Sequence, residues 1–199
     1  MKRHRKIWLV IGGIEGLGLA SIKYILSKDA VVIALTPDTQ LFRESTKLSH
    51  PNLHLIAYTN TERKTLSEVL TNTYEQFGPI DYYINHQSAQ DLARQWESSA
   101  LSLEDFENQF SQQTVWLSEE VLAIMARSIW AHIFFVSFKE KIPPFEQIAD
   151  ARISAIKTFV HGHEEDLKNW NIKLSMIDEE NCIHNFEACD NVFKLPFEN

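Results

Sequence analysis

The chain has 199 residues, a formal charge of −8 and only two cysteines, Cys182 and Cys189. A chain of this length buries about 70% of the surface it would expose unfolded, so residues 1–199 are expected to form a single domain that needs neither a disulfide nor a metal. The acidic balance argues against general nucleic-acid binding, which needs clustered Lys and Arg, and only Lys2, Arg3, Arg5 and Lys6 are so grouped.

The first apolar run, Ile7 to Ile14, contains Gly12 and Gly13 and ends at Glu15, too short to cross a bilayer. A basic start ahead of an apolar run could suggest a secretory signal, but a small-residue cleavage site is missing and the run reads as a strand over Lys6 to Ile11. A cytoplasmic protein is the expectation. Leu17, Ala20, Ile22, Ile25 and Leu26 follow at helical spacing, and Val31 to Leu35 is a second apolar run, which completes a βαβ unit. The pattern continues with a strand over Leu53 to Ala57, a helix over Glu62 to Phe77, a strand over Ile80 to Asn85 and a long helix from Ser102 to Arg127. A strand over Ile133 to Ser137, a helix over Ile148 to Asn169 and a strand over Ile172 to Ile177 follow, after a loop broken by Pro143 and Pro144. Strands in regular alternation with helices predict an α/β fold, a Rossmann-like doubly wound parallel sheet of about six strands with helices on both faces.

Between the first strand and the first helix stands Gly12-Gly13-Ile14-Glu15-Gly16-Leu17-Gly18. Gly12 permits a tight exit from the strand, Gly16 lets backbone amides approach a pyrophosphate, and Gly18 lets the helix pack on the sheet. The helix N-terminus, at Gly16, Leu17 and Gly18, then faces the anion. A glycine triplet in that place predicts a dinucleotide site, with NAD or NADP as the possible ligand.

Ile11 to Gly18 resembles the TGxxxGxG turn of the short-chain dehydrogenase/reductase family, with isoleucine in place of threonine. Phe77 to Asn85 resembles the family's GxIDxLVNNAG strand, although His86, Gln87 and Ser88 replace all but Asn85 of its last four residues. Ile153-Ser154-Ala155-Ile156-Lys157, with Gly162 beyond it, resembles the YSASK helix. The resemblance spans roughly residues 5 to 178.

It implies a cofactor site that includes Gly12, Gly16, Leu17, Gly18, Asn85 and Lys157, and it assigns catalysis to a tyrosine, a lysine, a serine and an asparagine. The tyrosine is the general acid toward a carbonyl oxygen, and the lysine one helical turn later lowers its pKa. In this sequence the lysine position is Lys157, but the tyrosine position is Ile153, and Tyr24, Tyr58, Tyr74, Tyr82 and Tyr83 all lie far upstream. The serine position falls on Phe138. Ser137 adjoins it and remains a candidate, although alternation along a strand would turn it to the opposite face. The asparagine falls near Gln112 or Gln113. At the end of the second strand, Leu35-Thr36-Pro37 offers neither the acid nor the arginine that would recognise a ribose, Asp38 lies past a proline, and Thr59 stands where the family often has an adenine-contacting aspartate.

After the sixth strand the family continues into a substrate-covering segment, for which residues 179–199 form a short replacement. Cys182, His184 and Cys189, with His161 and His163, match no usual zinc spacing, and no metal is expected. His161 to Asp166 reads as the solvated face of the helix that bears Lys157. Trp116, Leu117, Val121, Leu122, Ile124 and Met125 make the fourth helix apolar on more than one side. With the family's habit of pairing through this helix and the next, that predicts a homodimer or tetramer through helices near 103–127 and 148–169. The leading expectation is a non-catalytic NAD(P)-binding or assembly protein. The alternative is an NAD(P)-dependent oxidoreductase acting on a carbonyl or alcohol with another proton donor.

Overall fold

The computed structural model describes residues 5–58, 63–86, 96–137 and 145–178. Six strands form one all-parallel sheet in the order β3-β2-β1-β4-β5-β6: β1 is Ile7–Ile11, β2 Val31–Thr36, β3 Leu53–Ala57, β4 Tyr82–Asn85, β5 Ala131–Ser137 and β6 Ile172–Asp178. The helices are α1 (Gly16–Ser27), α2 (Thr39–Thr46), α3 (Arg63–Phe77), α4 (Leu103–Met125), α5 (Phe145–Gly162) and α6 (Glu164–Asn169). Among the described residues no helix is long and apolar enough to cross a membrane.

Strand alternation divides the core in two. Leu9, Ile11, Ile33, Leu35, Tyr83, Ile133 and Phe135 face α3, α4, α5 and α6, where they meet Leu66, Leu70, Leu117, Val121, Ile156, Phe159 and Leu167. Trp8, Val10, Val32, Ala34, Tyr82, Ile84 and Phe134 share the other core with Leu17, Ile22, Ile25 and Leu26 of α1 and Phe42 of α2. Helices therefore cover both faces, which is why the central strands β1 and β2 are almost wholly apolar, while the edge strand β6 carries Lys173, Ser175 and Asp178. Aromatic rings stack across the second face, Trp8 on Tyr82 at 4.0 Å and His132 on Phe134 at 4.0 Å between centroids. Asp81 fixes the register at the lower end, accepting from Ile7 N at 2.9 Å and pairing with Lys6 Nζ at 3.1 Å.

Two of the expected elements change. A helix that the apolar pattern does not announce, α2, lies between β2 and β3, and Asp38 starts it by accepting from Gln40 N and Leu41 N at 2.8 and 2.9 Å. It has eight residues and Phe42 is its one buried residue, too little apolar sequence to mark a helix by spacing. The single helix expected over 148–169 is two helices, parted at His163 directly after Gly162. Glu164, Glu165 and Asp166 thus occupy the first turn of α6, where its dipole favours acids, and do not lie on the helix that bears Lys157.

His132 gives this architecture a pH dependence. Burial pushes its pKa down from 6.5 to about 4. As pH falls from 6.5 toward 4 the unfolded chain takes up a proton that the folded chain refuses, so this contribution is complete above 6.5 and is lost as pH falls through the window. In thermal melts, wild type minus His132→Phe is expected to lose stability across that window, and a difference that stays constant would contradict it.

Candidate functional site

In a doubly wound sheet the crevice lies where the strand order reverses, at the carboxyl ends of the strands. Here the reversal is between β1 and β4, whose last residues, Ile11 and Asn85, pair in register. Beyond Ile11 the chain enters the glycine turn with φ of 84° at Gly12, 101° at Gly13 and 56° at Gly16. Beyond Asn85, His86 N donates to Ile11 O at 2.9 Å and the His86 backbone runs beneath the turn.

The glycines are required mainly by this crossing. A Cβ on Gly12 would stand 1.6 Å from His86 O, and one on Gly18 would stand 2.7 Å from both Gly13 Cα and His86 Nδ1. The turn is pressed against the end of β4, and His86 is only 1% exposed. The N-cap of α1, Glu15, makes no side-chain capping bond, and no acid lies in the helix's first turn. The N-terminus of α1 thus points at the crevice with no acid of its own first turn to oppose an anion.

Dinucleotide fit differs between the two ends of this cleft. The turn suits a pyrophosphate, which Gly13 to Gly18 would hold through backbone groups. At the ribose end the Asp38 carboxylate is engaged as the cap of α2, and Thr36 donates to Asp38 O at 3.3 Å. Thr59 lies outside the described residues.

The other expected positions come together unequally. Asn85 is fully buried and accepts two bonds from Arg152 Nη2, one at its backbone oxygen and one at Oδ1, each 3.0 Å. Ile153 is half-buried on α5 and Lys157, one turn later, is exposed. Ser137 shares a side of β5 with Ile133 and Phe135, and its hydroxyl donates to Ile177 O of β6 at 3.2 Å. Gln112 lines a groove between α4 and α5. Phe138, Gln87, Ser88, Pro143, Pro144, Cys182, His184, Cys189 and the rest of the 179–199 extension lie outside the described residues. Arg152 is the participant that sequence reasoning missed, since a lone arginine inside an amphipathic helix reads as a solvated residue. Its helical phase with Ile148, Ala149 and Ile156 was the available signal.

A family model described as short chain dehydrogenase matches residues 6–179. The chain belongs to the short-chain dehydrogenase family. It is 28% identical over 136 residues to oxidoreductase BOA17 of Botryotinia fuckeliana, a match covering 66% of this chain and 48% of that protein. It is 26% identical over 127 residues to 7alpha-hydroxysteroid dehydrogenase of Bacteroides fragilis, covering 61% and 49%. This chain thus spans about half the length of the curated relatives it matches. Among solved structures, a short-chain dehydrogenase from Streptomyces avermitilis superposes with a TM-score of 0.67 at 15% identity, over 87% of this chain and 65% of that one.

The glycine contacts give a paired prediction. Gly12→Ala is expected to cost about 3 kcal/mol or more, because it meets a backbone oxygen at positive φ. Gly162→Ala has nothing within 4 Å and is expected to be neutral or stabilising by up to about 1 kcal/mol. Denaturant melts of the two variants check both signs, and equal effects would contradict the packing argument.

Proposed function

We propose that this family member binds a dinucleotide at the glycine turn without the family's carbonyl reduction, acting as a sensor or as part of an assembly. The observation that carries this reading is Ile153, an alkyl side chain one turn before Lys157 on α5. A nicotinamide cofactor, when bound, exchanges hydride with a carbonyl carbon. A proton must then reach the oxygen, and a placed general acid accounts for about a hundredfold to ten-thousandfold in rate. Ile153 has no proton to give. Ser137, the candidate for holding the carbonyl, has its hydroxyl committed to Ile177 O.

The names of the curated relatives, an oxidoreductase and a hydroxysteroid dehydrogenase, support a second reading, an oxidoreductase of carbonyl or alcohol substrates that would use NAD(P) at the glycine turn. It requires a different acid, with Lys157 orienting the ribose or a water.

Assembly is supported by the groove of about 690 Å³ between α4 and α5, with Val115 and Trp116 on one wall and Ala151 and Ala155 on the other. We take it as the face on which a second copy packs, giving a homodimer or, with a further interface, a tetramer. Ser154 lies on this groove and is exposed in the monomer, so Ser154→Arg is expected to preserve folding and shift sedimentation to the monomer. Unchanged sedimentation would exclude this interface.

NAD, NADH, NADP and NADPH titrated against melting temperature test the functional reading. At about a hundred times Kd one of them should stabilise by ~2.7 kcal/mol and raise Tm by roughly 5–10 °C, with no turnover on a carbonyl and alcohol panel. No shift with any of the four at millimolar concentration sinks the reading. Turnover abolished by Lys157→Ala would establish the oxidoreductase instead.

A further inference from the structure

We infer that Arg152 is a positioning residue that holds the glycine turn in its ligand-receiving shape, acting from α5 through Asn85 and His86. The inference rests on reading that turn as the nucleotide site.

Among the described residues Arg152 is the sole Arg, Lys, Asp or Glu that is buried, at 1% exposure. A guanidinium leaves water at high cost unless it is hydrogen-bonded, so the bonds that Nη2 makes are strongly held. Arg152 Nη2 takes both oxygens of Asn85, which fixes that residue's backbone and carboxamide together. Its charge also reaches Tyr83, two residues earlier on the same face of β4: burial pushes the Tyr83 hydroxyl up, and Arg152 draws it part of the way back.

β4 has only four residues, and Asn85 is its last. Its pairing with Ile11 and the bond from His86 N to Ile11 O are the final links between β4 and β1 before both chains leave the sheet. Immediately beyond, the His86 carbonyl fills the space that a Gly12 side chain would need, and the imidazole does the same for Gly18. A displacement of Asn85 therefore moves the inner wall of the turn. Arg152 applies its constraint from the opposite side of β4, on a helix whose Ala151, Ser154 and Ala155 line the groove against α4. One helix thus links the proposed assembly face to the turn.

Backbone amide exchange of the unliganded protein, read by mass spectrometry for wild type, Arg152→Lys and Arg152→Gln, tests this. Amides of residues 12–18 should exchange about tenfold faster or more in Arg152→Gln and by an intermediate factor in Arg152→Lys, while those of β2 and β3 keep their wild-type rates. Turn exchange that stays unchanged, or acceleration spread evenly over the sheet, would overturn the inference, the latter because it marks a merely structural role. Should the arginine variants fail to fold, Asn85→Asp decides: it offers Arg152 a carboxylate of the same shape, and slower turn exchange supports the inference, whereas equal or faster exchange overturns it. Because these rates are read without ligand, a wild type that binds no dinucleotide would sink the functional reading and still leave the role of Arg152 decided.

Discussion

His86 O stands 1.6 Å from where a Gly12 Cβ would be, so the turn after β1 keeps this form only while residue 12 is glycine. The upper end of the sheet follows from that approach. The chain passes from β1 to α1 within a few residues while the His86 backbone just beyond β4 packs against the turn, and the N-terminus of α1 opens at the point where the strand order reverses. The hydrophobic layers on either side hold the sheet together, while this backbone-to-backbone contact fixes the shape of its cleft.

Much of this was legible because it rests on short-range pattern. β1 and β2 are buried on both faces and so appear as compact apolar runs, and the ends of β3 agree with the sequence pattern at both residues. The glycine turn was legible for the same reason, being a local demand on a few consecutive residues. What escaped depends on single contacts. α2 is short, buries only Phe42 and is started by one carboxylate, and the parting of α5 from α6 falls at Gly162 and His163, so neither is marked by a run of apolar residues. Arg152 escaped because its partner, Asn85, lies 67 residues away in sequence, and a distance of that kind exists only in the fold.

The resulting cleft has an uneven chemistry. Where the turn meets α1, the positive-φ glycines and a helix start with no acid in its first turn suit an anion. Asp38 caps α2, Ser137 is bonded to a neighbouring strand, and Ile153 stands one turn before Lys157 on α5. Binding and proton transfer make separate demands on a protein, and the proposed function rests on these residues meeting the first and not the second. The polar cluster below, Arg152 on Asn85, maintains the shape of the cleft and supplies no titrating proton near neutral pH, since a guanidinium stays charged there.

The separation of binding from chemistry can be observed in one rapid-mixing measurement. The protein, in excess over reduced nicotinamide dinucleotide, is mixed with a panel of carbonyl compounds while energy transfer from tryptophan to the nicotinamide and the nicotinamide absorbance band are followed together. Saturable energy transfer with an absorbance band that does not decay is the predicted result. Decay of the band in a single turnover, at a rate that depends on the carbonyl compound, would contradict the account.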